Sequence, residues 1–299
     1  MSALWMVAAA FFFSIMGACV KWAGGYYEVA EIVFYRSLIG VVLLYAFVAW
    51  RKTSLATPLA KTHLLRGVAG TTALALWFYA TTLLPLGTAM TLSYASSLYV
   101  AAAVIGGALR RHARVDARLA AAVIVGFIGV LLVLQPSFSR GQIVVALAGL
   151  LSGMLAAVAY WNVRKLGRLG EPEWRTVFYF SLTGTVLGLA GSLISGFSTH
   201  TTTGALLLIG VGVFALLAQL SMTRAYGKGH TLLVANLQYS AIVFASILGV
   251  LLFGDRIPVI GWIGIAIIVF SGAAASTFAA RRGTPGAAEV SEIEPAAEK

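Results

Sequence analysis

The sequence predicts an all-α integral membrane protein with ten transmembrane helices arranged as two inverted five-helix repeats. Sixty per cent of its 299 residues are hydrophobic and only 10% are charged, whereas a soluble domain carries about a quarter charged residues. The segment VFYRSLIG at 33–40 returns as VFYFSLTG at 177–184, with six of eight positions identical. Five predicted spans fall in each copy, and because five is odd the second copy must enter the membrane upside down.

The spans themselves are apolar windows of about 20 residues, the length that a helix needs to cross about 30 Å of hydrocarbon. The ten windows run approximately over 3–22, 31–50, 64–83, 86–109, 117–135, 142–163, 174–196, 204–225, 231–253 and 258–280. They divide the chain into a first repeat at 1–140 and a second at 141–282. Residues 283–299, which are rich in Gly, Pro, Ala and Glu, are predicted to be a disordered acidic tail in the cytoplasm.

The basic residues predict the orientation of the spans. The net charge of +11 would suggest nucleic acid in a soluble protein, but here the bases stand between apolar runs, where they act as topology signals and no nucleic-acid partner is expected. One side, the base-poor side, holds only Lys21, Arg36, Arg140 and Arg256 of the 21 bases. The other, base-rich side, to which Arg66 is assigned, is predicted to be cytoplasmic together with both termini. The N-terminus lacks the basic region of a cleaved signal and is predicted to be a retained first helix.

Polar side chains deep inside a span are costly and mark candidate sites. Two such clusters lie in the fourth and ninth spans, and inversion of the repeats would bring them together near the centre of the membrane. Tyrosine and tryptophan combine an apolar face with a hydrogen-bonding group, so a cavity lined by them suits a solute that is partly apolar and partly polar. The residues predicted to bind substrate are Arg36, Tyr79, Tyr94, Ser97, Tyr99, Asn236, Gln238 and Tyr239.

Other polar or aromatic residues inside spans are Trp77, Tyr160, Trp161, Asn162 and Gln219. The competing interpretation of the deep residues is hydrogen bonding between helices. For the aromatic residues near span ends, the competing interpretation is that they belong to the aromatic belts at the two membrane surfaces.

Arg36 is the charged mismatch between the two copies, opposite Phe180 in the second. It lies about 7 to 8 Å inside the second span at 1.5 Å per residue. A guanidinium there could bind a carboxylate through charge and paired hydrogen bonds. It could equally extend outward to water or hold a neighbouring helix end.

The acidic and histidine residues fall at span ends, in loops or in the tail, so no carboxylate proton relay is expected. The sequence has no GxxxxGK[ST] loop for primary active transport and no HExxH. With one cysteine, Cys19, it can form neither an internal disulfide nor a cysteine metal cluster. No catalytic residue, metal or cofactor is predicted.

Three features together resemble the EamA-type branch of the drug/metabolite transporter superfamily over residues 1–282. They are the two inverted halves, the LPLGTA stretch that opens the fourth span, and LLFGDR at 251–256 that closes the ninth. The first half has ALRR at 108–111 in place of the closing motif. The resemblance, nearest to YddG-like aromatic amino-acid exporters, implies export of amino acids or other metabolites.

The predicted function is therefore secondary transport in a bacterial inner membrane. The protein is expected to export small amphipathic metabolites, such as aromatic or bulky apolar amino acids, by alternating access through a central cavity. An uptake carrier or exchanger of the same fold is the first alternative, and an integral-membrane lipid-modifying enzyme and a channel are more distant ones. The expected partners are a small-molecule substrate and the lipid bilayer; the sequence does not indicate an oligomeric state.

Overall fold

The chain forms ten helices and no strand over the residues that the structure, a computed structural model, describes. These are 2–96, 98–99, 105–106, 117–134, 140–228 and 237–281. The helices are α1 Ser2–Ala23, α2 Val29–Arg51, α3 Ala60–Leu83, α4 Leu86–Tyr94, α5 Ala117–Leu134, α6 Arg140–Arg168, α7 Glu173–Ser195, α8 Thr202–Lys228, α9 Ser240–Phe253 and α10 Val259–Arg281. The predicted tail at 283–299 lies outside the described residues.

Five of these helices are long and apolar enough to cross a membrane. The qualifying segments are Leu4–Ala23, Val29–Arg51, Ile143–Arg168, Glu173–Ser195 and Thr202–Tyr226. Shorter apolar stretches occupy α5, α9 and α10. The prediction of several membrane spans is thus confirmed, and spanning by the remaining helices stays a prediction.

The predicted fourth and ninth spans are not continuous helices, because a turn interrupts each of them. Helix α4 stops at Tyr94, and Ala95 forms a turn. In the ninth span, Tyr239 forms a turn immediately before α9 begins at Ser240. The turns keep backbone hydrogen bonds, since the Ala95 N–H donates to the Thr91 carbonyl and the Ile242 N–H donates to the Tyr239 carbonyl, but each lies at one end of a regular helix inside the bundle.

Each helix before residue 135 packs closely on a helix from 140–281. Helix α2 packs on α7, α1 on α8, α3 on α6, α4 on α9 and α5 on α10. Every helix of the first predicted repeat therefore has a packing partner in the second. The main core lies between them and includes the fully buried side chains of Met16, Phe78, Met90 and Ile242.

Small residues bring α2 and α7 into close contact. A Cβ atom added at Gly40 would lie 2.6 Å from Oγ of Ser181, and one added at Gly184 would fall against Ser37. The two pairs are related by the 144-residue offset of the repeated octapeptide, so equivalent positions exchange roles across the contact. The same exchange holds for Gly67 against Thr183 and Gly212 against Ile39.

The turn after α9 places an acidic side chain against three other segments. Gly254 has φ +62°, and the backbone N–H groups of Gly254 and Asp255 return to the carbonyls of Val250 and Gly249. Glycine adopts this left-handed helix-ending conformation without steric cost. The turn directs the Asp255 carboxylate back toward the ends of α1, α3 and α4.

We call the resulting group the Lys21–Asp255 cluster. Nζ of Lys21, at the end of α1, lies 2.6 and 2.9 Å from the two Asp255 carboxylate oxygens. It also donates to the Leu84 carbonyl at 3.2 Å. The Leu86 N–H, which opens α4, donates to Oδ2 of Asp255 at 2.8 Å. The cluster therefore connects α1, the α3–α4 turn and the α9–α10 turn at the base-poor end of the bundle.

Candidate functional site

A cavity lies between helices of the two predicted repeats. The space open to the centres of water molecules is about 60 Å³, which is room for a few waters at about 10–15 Å³ each. Its lining residues come from α1, α3, α4, α6, α7 and α8, and none of them is acidic. They are Phe13, Arg66, Gly70, Ala73, Leu74, Trp77, Met90, Ser93, Tyr94, Ala156, Ala159, Tyr160, Phe180 and Gln219.

One end of this cavity is formed by the buried guanidinium of Arg66. Its Nη2 atom donates to Oε1 of Gln219 at 2.9 Å, and its Cζ atom lies 3.6 Å from the centroid of the Phe180 ring. A desolvated cation over an aromatic face gains about 2 kcal/mol. The Nε and Nη1 atoms are buried and have no hydrogen-bond partner. Arg66 thus keeps part of its hydrogen-bonding capacity unused.

The Arg66 side chain extends into the bundle rather than toward the base-rich surface. Its Nη1 atom lies 3.2 Å from the position that a Cβ atom would take at Gly70, one turn further along α3. The side chain can lie there because Gly70 has none of its own. Arg66, one of the bases counted for the base-rich side, is buried, with only 2% of the residue exposed; its place among the topology signals stays a prediction.

Apolar side chains form the other end of the cavity. Trp77 lies seven residues beyond Gly70 on α3, which corresponds to about 10 Å along the helix axis. Phe13, Leu74 and Met90 complete this wall. The cavity therefore has a cationic, hydrogen-bonding end and an apolar, aromatic end. This arrangement suits a solute with one polar head and one apolar body.

Among the described residues predicted to bind substrate, Tyr94 lines the cavity. Gln238 is not among the lining residues, but it accepts a hydrogen bond from the hydroxyl of Tyr226, and the Tyr226 ring stacks on the cavity residue Tyr160 with centroids 5.9 Å apart. Tyr239 is buried against Gly272. Of the ninth-span cluster, Gln238 is thus connected to the cavity wall through Tyr226.

Three other predicted residues lie away from the cavity wall. Tyr99 packs its ring against Phe127 on α5, and Tyr79 is 39% exposed. Arg36 is buried, with its Cζ atom 4.9 Å from the same Phe180 ring that Arg66 contacts. Ser97 and Asn236 lie outside the described residues. A substrate contact by any of these five stays a prediction.

The contact between Arg36 and Phe180 explains why the duplicated octapeptides differ at this position. The two residues are equivalent in the repeats, yet they touch each other across the α2–α7 interface. An arginine at 180 would place a third guanidinium beside Arg36 and Arg66, and like charges at such distances repel strongly when buried. The Phe180 ring instead offers its electron-rich face to both cations.

A second group of charged residues lies at the base-rich end, at the margins of the predicted spans, and we call it the His63–Glu171 cluster. Nε2 of His63 lies 2.9 Å from Oε1 of Glu171, and Nη1 of Arg175 lies 3.4 Å from both carboxylate oxygens. Arg175 also donates to the Ser54 carbonyl at 2.8 Å. The cluster connects the α2–α3 loop, the start of α3 and the α6–α7 loop.

We expect the folded protein to lose stability as the pH falls from 7 to 5, in part through this cluster. Burial lowers the pKa of His63, as do Arg66 and Arg175, against the opposing effect of Glu171. The unfolded chain therefore binds a proton more readily than the folded one, and stability falls below the unfolded histidine pKa of about 6.5. Thermal unfolding of the purified protein across this range, with His63→Gln, measures the effect.

The matched control is His200→Gln, because His200 is 40% exposed. The His63 variant should show a shallower pH dependence than the wild type, and a shallower one than the His200 variant. Burial alone would raise the pKa of Glu171, but hydrogen bonds from His63 and Thr57 and the charge of Arg175 hold it below its ordinary value. Its contribution is therefore lost only at still lower pH. Equal slopes for wild type and His63→Gln would contradict the prediction.

Comparison with known proteins gives matches over almost the whole chain. The model of the EamA-like transporter family matches residues 1–135 and again residues 143–277. A pseudopaline exporter of Pseudomonas aeruginosa is 32% identical over 267 residues, which is 88% of this chain and 92% of the relative. A riboflavin transporter of Vibrio cholerae is 29% identical over 279 residues, covering 90% of each.

Among solved structures, one crystal structure matches with a TM-score of 0.65 at 20% sequence identity. The match covers 95% of this chain and 98% of the other. At this identity the likeness concerns the fold alone.

Proposed function

Because the chain belongs to the EamA-like transporter family, we propose that this multi-pass membrane transporter exports small amphipathic metabolites from bacteria. We place it in the inner membrane with both termini in the cytoplasm, because the termini fall on the base-rich side and that side is expected to face the cytoplasm. The observation that carries the proposal is the two-ended cavity, with Arg66 and Gln219 at one end and an apolar aromatic wall at the other. Aromatic and bulky apolar amino acids have this division of polar head and apolar body.

The transport cycle that we propose is alternating access by two inverted five-helix repeats at 1–140 and 141–282. Two observations support the repeats: the family model matches twice along the chain, and equivalent glycine and hydroxyl positions exchange roles between α2 and α7. Exchange of this kind is typical of a two-fold contact. Rocking of the repeats about this contact would open the cavity to one side at a time.

The two polar clusters lie at opposite ends of the bundle, and each connects helices of both proposed repeats. Lys21 and Asp255 meet at one end, and His63 and Glu171 at the other. Opening either end would separate these ion pairs. We propose that their alternate breaking accompanies the alternating access of the cavity.

Efflux from proteoliposomes tests the proposal. Vesicles that contain the purified protein are loaded with labelled phenylalanine, threonine or riboflavin, and the rate of loss is compared with that of protein-free vesicles. We expect saturable loss of at least one amphipathic solute. Rates equal to those of protein-free vesicles for all three would reject this substrate class.

A second candidate is uptake or exchange by the same cavity. It is favoured by the likeness to riboflavin transporters, whose name states no direction of transport. The two functions differ in their requirement for a solute on the far side. Flux that occurs only with unlabelled solute on the opposite side of the vesicle membrane would identify exchange.

A further inference from the structure

The fully buried polar atoms of the cavity-lining residues that lack a hydrogen-bond partner are all donors, whereas the hydroxyl groups of Ser93, Tyr94 and Tyr160, which also line the cavity, can donate or accept. Three buried polar atoms of these residues have no partner in the described structure, namely Nε and Nη1 of Arg66 and Nε1 of Trp77. Guanidinium and indole nitrogens donate hydrogen bonds and cannot accept them. Leaving such groups unpaired is costly, most of all for a charged group. The cavity therefore calls for a ligand that brings acceptors.

Gln219 adds to this excess of donors. Its carbonyl oxygen accepts from Nη2 of Arg66, which leaves both N–H groups of its amide free to donate and one lone pair on the oxygen. The interaction also fixes the orientation of the guanidinium toward α8. Arg66 and Gln219 together thus form a prearranged donor surface.

No acidic side chain lines the cavity to balance the charge of Arg66. The described acidic residues lie in the clusters at the two ends of the bundle or at helix starts. Glu31, for example, accepts from the Ser198 N–H and lies 3.5 Å from His200, while Asp255 pairs with Lys21. The Phe180 ring stabilises the guanidinium without neutralising it. A negatively charged ligand would supply the missing countercharge.

From these contacts we propose that the cavity selects organic monocarboxylates, with the carboxylate bound by Arg66 and Gln219 and the apolar body placed against Leu74 and Trp77. This inference rests on the proposed function and specifies its substrate class.

Arg66 is the charged residue that lines the cavity, and a carboxylate offers enough acceptor positions for several donors. The second buried guanidinium, that of Arg36, contacts the same Phe180 ring but does not line the cavity. Gly70 and Trp77 are about 10 Å apart along the axis of α3, which is about the length of a phenylpropyl group; a ligand of this size needs more room than the cavity of about 60 Å³ offers, so its binding requires the surrounding helices to move apart.

Thermal unfolding of the full chain in detergent tests the inference with probes that share one phenylpropyl body. The probes are 3-phenylpropanoate, its neutral amide 3-phenylpropanamide, and the cation 3-phenylpropylamine; phenyl phosphate separates carboxylate from phosphate recognition. We expect the carboxylate to stabilise the protein at concentrations about tenfold to a hundredfold lower than the amide, the ratio expected for losing hydrogen bonds to a charged group. The amine and the phosphate should give no stabilisation.

Variants of two arginines, one lining the cavity and one exposed, identify the group responsible. Arg66→Gln should abolish the preference for the carboxylate over the amide, and Arg66→Lys, which keeps the charge, should retain part of it. Arg224→Gln is the matched control, because Arg224 is an exposed base on the same helix as Gln219 and should respond like the wild type. If Arg66→Gln fails to fold, the comparison of carboxylate with amide in the wild type still tests whether the cavity prefers the carboxylate.

Equal stabilisation by carboxylate and amide in the wild type, stronger stabilisation by phenyl phosphate, or an unchanged carboxylate preference in Arg66→Gln would each overturn the inference. Efflux of the same probes separates this failure from failure of the proposed function. Export of the neutral amide at the rate of the carboxylate would leave the transporter proposal in place and reject the anion selectivity. A preference for binding the carboxylate, without flux of any probe, would support the anion selectivity and count against the proposed transport.

Discussion

Replacing Gly188 with alanine is expected to lower the free energy of unfolding by about 3 kcal/mol, at the upper end of the cost of overpacking. A Cβ atom at this position would lie 2.6 Å from the backbone nitrogen of Phe34 and 2.7 Å from its Cα atom. Backbone atoms cannot rotate away as a side chain can, so α2 and α7 would have to separate. Separation would also disturb the contacts of Gly40 and Gly184 further along the same interface.

The matched control for this substitution is Gly210→Ala in α8. Its added Cβ atom would lie 3.4 Å from Sγ of Cys19, an ordinary van der Waals contact. Alanine forms helices better than glycine by about 1 kcal/mol, so this variant should be neutral or slightly stabilised. Unfolding in detergent, followed by tryptophan fluorescence, measures both. Equal stability of the two variants would show that the α2–α7 approach is looser than the structure has it.

The helices that carry the duplicated octapeptide illustrate which parts of the fold the sequence can predict. The windows 31–50 and 174–196 agree closely with α2 Val29–Arg51 and α7 Glu173–Ser195, because a long apolar run between polar residues has one stable conformation in lipid. The breaks at Ala95 and Tyr239 were not predicted. Neither turn contains glycine or proline, so the local sequence carries no signal that competes with continuous hydrophobicity.

The candidate site was predicted less completely, for a physical reason that Arg66 makes clear. Counting bases along the chain tells which side of the membrane a loop prefers, but it does not tell where a side chain points. Arg66 lies in the predicted third span at 64–83, and its direction is decided by the space at Gly70 and by Gln219 on a distant helix. These neighbours are known only once the helices are packed.

Arg36 shows the opposite case. The octapeptides differ at Arg36, and the structure shows this residue buried and in contact with its own repeat equivalent, Phe180, while its predicted contact with substrate stays a prediction. Its distance from the cavity wall depends on the rotation of α2 about its axis. The repeat offset could not reveal that rotation. Tyr94, by contrast, was predicted from its depth alone and does line the cavity.

Removing one partner of the Lys21–Asp255 cluster should also have a large effect. We expect Asp255→Ala to destabilise the protein by roughly 3 kcal/mol, the lower end of the range for breaking a buried ion pair by removing one partner. The variant leaves the part-buried Lys21 ammonium, with a side chain 15% exposed, with only the Leu84 carbonyl as acceptor. It also leaves the N–H of Leu86 without its acceptor at the start of α4.

The size of this loss depends on the unpaired charge more than on the absent contact, and a double variant separates the two. Combining Asp255→Asn with Lys21→Met removes both charges and keeps a side-chain oxygen for the Leu86 N–H, so most of the stability should return. Arg256→Gln is the control, because this neighbouring base is exposed and its loss should cost less than about 0.5 kcal/mol. If Asp255→Ala unfolds like Arg256→Gln, the ion pair contributes nothing to the connection of α1, α4 and α9. Recovery in the double variant would instead show that the loss in Asp255→Ala comes from the uncompensated charge of Lys21 and that the ion pair adds little net stability. A transporter could then break and re-form this pair without repacking its apolar core, provided that water reaches both charges when they separate.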